Sequence, residues 1–420
     1  MSSNLPFGFN SGGESGGPDD ITAKIPLFAE LRKLLSWSGG PVNWDLARQI
    51  AISTLAGEHR PVRPEDLSQV SDAVRLADLW LDETTTLPSG VRAIEAWTRV
   101  EWIERTQSVW AALCDPLAAR VVGAMSSALP EQAQAQLGPM AGMMSQFGGL
   151  LFGAQVGQGL AGLAQEVVSS TDIGLPLGPM GTAVLLPENV AFFGEGLERP
   201  EEEIRLYLAL REAAHHRLFG HVPWLRQRLL DTVEAYARGI VVDTAALERA
   251  LADIDPANPE SMQQALSGGL FEPEETPEQH VALRRLETLL ALVEGWVDTV
   301  VSGAGGDRMP GASALREASR RRRATGGPAE QTFSTLVGLE LRPRRLREAA
   351  TLWWAVTEKH GIEGRDGVWA HPDLLPDADD LDDPLGFADK VGVDPMAGLG
   401  GTPGTVADQP TASDDPKTED

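Results

Sequence analysis

A single cysteine, Cys114, occurs in 420 residues, so no internal disulfide can form and no Cys-x-x-Cys pair exists for structural zinc or thiol redox chemistry. That usage points to a reducing, cytoplasmic setting. Basic side chains are scarce as well: 35 Lys plus Arg stand against 61 Asp plus Glu, a formal net charge of -26. Such a balance argues against a surface built to grip nucleic acid or an anionic membrane. Long apolar runs are missing too. Met140 to Val168 has Gly149, Gly153 and Gly157 at small-xxx-small spacing, but Gln146, Gln155, Gln158 and Gln165 interrupt it. A soluble helical hairpin packed through its glycines is expected there. The first twenty residues hold neither a basic segment nor an apolar core, so neither a signal peptide nor an anchor is visible. There is no internal repeat and no P-loop. The formal G-x-G-x-x-G at Gly157 to Gly162 follows helical residues and not a strand, and the G-x-S-x-G at Gly13 to Gly17 lies in a Gly/Ser arm.

What is present is helical patterning between two polar ends. Residues 1–22 are largely Gly, Ser and Asp and read as a disordered arm. Residues 371–420 carry 13 acids against Lys390 and Lys417 and read as a largely disordered acidic tail, in which Leu381 to Phe387 is able to dock on the body. Leu5 to Phe9 has the same character in the first arm. Between them, Leu27 to Leu35, Asn43 to Leu55 and Pro64 to Leu81 show apolar side chains at i, i+3, i+4 and i+7, the stripe of helices with one buried face. Val91 to Leu129, rich in tryptophan, continues the helical region, with Pro116 placed to break or kink it and Pro130 to end it. A helical domain over 23–175 is followed by a second α-rich unit over 176–370 with a small sheet. The strand signal is Thr182 to Leu186 and then Val190 to Phe193, separated by Pro187-Glu-Asn189.

One segment carries residue types suited to chemistry. Pro200 and Glu201 to Glu203 form a helix start, since proline suits the first turn and acids favour the positive end of the dipole. The helix runs through IRLYLALREAAHHRLF to a cap at Gly220, and Pro223 opens a further helix over Trp224 to Arg238. Glu212 and His215 share a face, and His221 lies just beyond the turn. The stretch Arg211 to His215 resembles the zinc-peptidase motif H-E-x-x-H, in which two imidazoles bind the metal and the glutamate activates its water. Arg211 stands in the place of the first histidine. His221 falls at the spacing of the third histidine of the longer metzincin pattern, with Leu218 in the usual glycine slot. A second helix, from Glu278 to about Val301, places Glu294 in an apolar stretch where a carboxylate needs a cation, a metal or hydrogen-bond donors. Glu294-x-x-x-Asp298 resembles the E-x-x-x-D element of gluzincins.

These motifs, with LPFGF, TDIGLPLGP, LREAAHHRLFGHVPWL, ALVEGWVD, GLELRPRRLREA and VWAHPDLLPDADDLDDP, resemble an actinobacterial family of zincin-like, zinc-dependent metallopeptidases or hydrolases. That family is related to zincin-like proteins associated with deazaflavin-coenzyme biosynthesis. The resemblance runs from about residue 3 to about 390. It implies a mainly helical protein with a zincin-like half, a peptide or protein as substrate or partner, and zinc held by His215, His221 and Glu294. Glu212 would then activate water, Asp298 orient a ligand and Arg211 stabilise an oxyanion. The guanidinium has no lone pair and repels a divalent cation, so a second outcome stands beside the first. In it Arg211 fills the metal position and pairs with Glu212 or Glu294, leaving a metal-free binding or scaffold protein. Plain structural readings accompany each residue: a carbonyl-capping or exposed role for His215 and His216, and an interhelical ion pair for Glu294. Cys114 reads as a core residue and His371-Pro372-Asp373 as a turn. The basic islands at Arg320 to Arg323 and at Arg342, Arg344, Arg345 and Arg347 read as internal pairing.

Overall fold

The structure, a computed structural model, describes residues 40–57, 60–127, 138–239, 276–324 and 345–392. The N-terminal arm and the end of the acidic tail therefore lie outside the described residues, as do Arg342 and Arg344. The described part is mostly helical, with one small sheet. Helix α1 (Trp44–Thr54) starts at Asn43, whose side chain accepts from the Leu46 amide. Helix α2 (Pro64–Leu81) has proline in its first turn and buries Val70, Val74, Ala77 and Leu81, the spacing read from the sequence. A strand, β1 (Ala93–Ala96), interrupts what the patterning suggested was helix, and α3 (Arg99–Ser127) then continues through Pro116 without ending there.

Helix α4 (Gly138–Glu166) is one continuous helix where a hairpin was expected. Its glycines serve the predicted purpose against a different partner. A Cβ on Gly153 would lie 2.6 Å from the Asn43 carbonyl, and one on Gly157 2.6 Å from the Ala47 carbonyl, so α1 crosses α4 at backbone contact. No described helix is long and apolar enough to cross a membrane.

Strand β2 (Thr182–Leu185) pairs in parallel with β1, Ala93 opposite Thr182 and Ala96 opposite Leu185. The second half of the strand signal is a helix instead, α5 (Pro187–Gly194). Pro187 takes the first helical position, and the Asn189 amide reaches back to the Ala164 and Val167 carbonyls at the end of α4. The centre of the molecule is α6 (Glu201–His221), followed by α7 (Leu225–Arg238), α8 (Pro277–Gly305), α9 (Ala312–Ala324) and α10 (Leu346–Gly367). Thr276 and Gln279 form a capping box at the start of α8. Helix α6 runs one residue past Gly220 and ends at Val222. Residues 371–392, expected within the tail, form one short 3-10 turn and the helices α11 (Ala378–Asp382) and α12 (Pro384–Lys390). These pack on α10 and bury Leu381 and Phe387.

Helix α6 packs against α2, α8 and β2, and α8 packs against α10 and α7. Both are therefore enclosed over their middle turns. Enclosure of α8 suits its sequence, since Leu289 to Val293, Trp296 and Val297 fill the core. Enclosure of α6 does not follow from hydropathy, because Arg205, Arg211, Glu212, His215, His216 and Arg217 are buried with it. Ionisable groups survive removal from water only when each meets a partner, and these do. Arg205 bonds Glu201 at 2.6 Å, and Arg217 bonds Asp78 at 2.7 Å and Asp82 at 2.6 Å besides two backbone carbonyls.

Candidate functional site

Arg211, Glu212, His215 and His216 divide between two neighbouring faces of α6, because one helical step rotates Arg211 and His215 away from Glu212 and His216. On the first face, Arg211 Nη2 lies 2.5 Å from Glu294 Oε2, and His215 Nε2 lies 3.0 Å from Glu294 Oε1. The ring is fixed from behind, its Nδ1 lying 2.8 Å from the Arg211 carbonyl oxygen. Phe219 stacks on it at 6.2 Å between centroids. The Glu294 side chain is 2% exposed and that of Arg211 9%, so the pair is desolvated. Burial alone would lower the guanidinium pKa. Glu294 first, then Tyr207, Asp298 and Asp172, outweigh that and raise it, so the charge is permanent. Gly174, at φ +78°, covers the carboxylate: a Cβ there would sit 3.1 Å from Glu294 Oε1.

On the second face, Glu212 is saturated with donors. Its Oε1 accepts from the Ser170 hydroxyl at 2.6 Å, the Val184 amide at 3.0 Å and His216 Nε2 at 3.2 Å. Oε2 accepts from the Thr171 hydroxyl at 2.5 Å and the Thr171 amide at 3.3 Å. Burial would raise this carboxyl, yet the His216 hydrogen bond and charge, with the two hydroxyls, hold it at about 2. Glu212 thus ties α6 to β2 and to the 170–171 loop as a stable anion.

Asp298 lies one turn beyond Glu294. It takes Arg316 Nε at 2.9 and 3.0 Å, Arg316 Nη2 at 2.5 Å and Arg320 Nη2 at 2.7 Å, all from α9. Burial opposes its ionisation; Arg316, then Arg320 and Arg211, more than compensate and hold its pKa low. Its partners are guanidinium groups where the resemblance implied an imidazole. His221 is exposed at the end of α6, its Nε2 3.3 Å from the Ser89 carbonyl.

The structure therefore brings Arg211, His215 and Glu294 together, with Asp298 near, and holds Glu212 and His221 in other contacts. Ser170, Thr171, Tyr207, Gly174 and Arg316 belong to the same buried system but were not singled out from the sequence. Of these, Thr171 and Gly174 fall within the TDIGLPLGP segment that carries part of the family resemblance. Within the basic islands, Arg320 pairs with Asp298, Arg322 with Asp172 at 3.1 Å, and Arg345 with Asp382.

The family resemblance implies zinc, and the donors can be tested against it. A divalent ion at Glu294 and His215 would share the carboxylate with a fixed cation, and the remaining expected ligand and base are engaged elsewhere. Among the described residues no group of three or more His, Cys, Asp or Glu side chains is arranged to hold a metal ion. The residues as placed do not fit zinc.

The fold has a counterpart among solved structures. The chain is similar to the crystal structure of "a putative hydrolase with a novel fold from Chloroflexus aurantiacus", with a TM-score of 0.58, 23% identity, and coverage of 83% of this chain and 98% of that one. At that identity the likeness shows the fold. Residues 42–388 match the zincin-like metallopeptidase family, and the chain belongs to that family. No curated protein matches it.

Proposed function

We propose that this member of the zincin-like metallopeptidase family works without a catalytic metal, as a cytoplasmic binding or scaffold protein for a peptide or protein partner. The observation that supports the reading is the Arg211 guanidinium seated 2.5 Å from Glu294, the carboxylate that the family resemblance assigns to the metal. An internal cation there supplies the positive charge that a buried carboxylate requires, and His215 completes its hydrogen bonding. Glu212, held at about 2 and met by donors on both oxygens, has little basicity left for drawing a proton from water.

Family membership favours a second reading, a zinc hydrolase with His215, His221 and Glu294 as ligands and Glu212 as base. It requires Arg211 to leave Glu294, His221 to leave Ser89 and Glu212 to shed donors. Metal content of tag-free protein separates the two. Substoichiometric zinc in the parent, with tight zinc binding appearing in Arg211→His and lost again in Arg211→His/Glu294→Ala, supports the metal-free reading. About one zinc per parent chain, lost in His215→Ala and in Glu294→Ala, refutes it.

A further inference from the structure

A groove of about 720 Å3 lies where α8 contributes Thr299 and Ser302, α9 Arg316 and Arg320, and α10 Arg347 and Trp354. We propose that it binds a small molecule that joins a phosphate to a planar ring, the chemistry of a nucleoside phosphate. The site touches the metal question at one residue. Asp298, which the zinc-hydrolase reading uses to orient a ligand, here holds two of the groove's arginines.

Four guanidinium groups line the groove, those of Arg316, Arg320, Arg347 and Arg365. Three are set in place by the protein. Arg316 and Arg320 converge on one oxygen, Asp298 Oδ2, at 2.5 and 2.7 Å, yet stay 35% and 20% exposed. Arg365 is held by Asp366 at 2.8 Å and by the Thr84 carbonyl at 2.7 Å. None of the three spends all its donors. The Nη1 of each forms no hydrogen bond to a described residue, and Arg320 Nε is buried without an acceptor. Arg347 is exposed and has no ion-pair partner among the described residues. Two arginines thus share one carboxylate while a third has none, a local surplus of cation in a chain whose net charge is -26. Glu83, the one acid lining the groove, is paired with Arg308 at 2.5 Å. The Thr299 and Thr351 hydroxyls donate to the Gly295 and Arg347 carbonyls at 2.8 and 2.9 Å, so an anion here is met by guanidinium groups. Their planar forks fit the oxygens of a phosphate, which carries up to about two negative charges near neutral pH.

Trp354 supplies the other half of the assignment. It stands two helical turns from Arg347 on the same face of α10 and is 57% exposed, whereas its neighbour Trp353 is wholly buried. An indole left open in a groove lined by cations offers a flat ring a stacking surface. The volume falls within the roughly 300–1,000 Å3 of small-molecule sites. A phosphate on the arginines with its ring on Trp354 uses both halves.

Calorimetric titration of the full-length protein with ADP, adenosine and pyrophosphate, in magnesium-free buffer, tests the assignment. The expected result is saturable ADP binding, weakened about ten-fold or more by Arg347→Ala, the loss of one charge-assisted pair, and about five-fold or more by Trp354→Ala, the loss of stacking. Both side chains are exposed, so both variants should fold, which circular dichroism checks. Adenosine and pyrophosphate should each bind more weakly than ADP. No saturable ADP binding at millimolar concentration overturns the proposal. So does ADP binding that either variant leaves unchanged in folded protein, or adenosine or pyrophosphate binding as tightly as ADP. Neither Arg347 nor Trp354 belongs to the metal site on either reading. A zinc-free parent that fails to bind ADP therefore overturns this proposal alone, and a zinc-loaded parent that binds ADP through both side chains overturns the metal-free reading alone.

Discussion

Arg211→Met should destabilise the protein more than Arg211→Met combined with Glu294→Gln. The guanidinium and carboxylate are 9% and 2% exposed and 2.5 Å apart, so solvent screening removes little of their interaction. Removing one partner of such a pair leaves the other buried without its opposite charge, a loss of about 3–5 kcal/mol. Glu294→Gln alone strands Arg211 in the same way, with Tyr207 and the more distant Asp298 and Asp172 as its remaining company. The double variant restores neutrality. A glutamine amide can still donate to His215 Nε2, whose Nδ1 is held by the Arg211 carbonyl, so a loss of about 1–2 kcal/mol is expected from lost hydrogen bonds and imperfect packing. The coupling energy across the cycle should therefore be several kcal/mol. Urea unfolding followed by the fluorescence of the 11 tryptophans, with all four proteins at one pH, measures it. Losses in the single variants that sum to the loss in the double, to within about 0.5 kcal/mol, would mean that Arg211 is not seated on Glu294, and the metal-free reading would lose its support.

Glu212 makes stability depend on acid. Its folded pKa of about 2 lies below its ordinary 4.5, so its stabilising contribution is complete above about 4.5 and is lost as pH falls through about 2. Over that window Glu212→Gln should remove a pH dependence worth about 3 kcal/mol, read from urea midpoints at a series of pH values; an unchanged acid slope would contradict the donor count. The Cys114 thiol, pushed up to about 12 by burial and then by Asp115, should resist thiol reagents at pH 8 in the folded protein and react at once in denaturant. Rapid native-state labelling would count against its burial. Gly157→Ala should loosen the contact between α1 and α4 by about 1–3 kcal/mol, visible as a lower melting temperature, whereas Gly57→Ala, with φ +115° and open space, tests backbone strain alone.

Reading the sequence reached the helices with local signatures. The proline before α6 with the three glutamates of its first turn, and the i, i+3, i+4 stripe of α2, are each written in neighbouring residues, and the elements stand where those signatures put them. Glu294 was also legible, since an acid among leucines and valines demands a partner wherever the helix docks. Less was visible where two kinds of element share a composition. The short β1 was hidden beside a tryptophan-rich helix, and Val190 to Phe193 looked like strand although Pro187 starts a helix there. Neither period is resolved over four residues.

The partners of the ionisable residues were beyond reach for a different reason. Helical spacing puts Glu212 and His215 on one face, three residues apart, whereas in the fold His215 joins Arg211 on Glu294 and Glu212 joins His216. Spacing does not state what each face meets. That was decided when the 170–174 loop and β2 closed over one side and α8 over the other, giving Glu212 its five donors and Glu294 its arginine. Asp298 likewise met arginines from α9 once that helix folded back. The sequence by itself determined the helices with strong local signatures, such as α2 and α6, and that Glu294 would need company, because these depend on neighbours along the chain. Only the tertiary structure decided which charge joined which, because a buried ion takes the nearest opposite charge or donor that packing leaves within about 3 Å, from whatever segment supplies it.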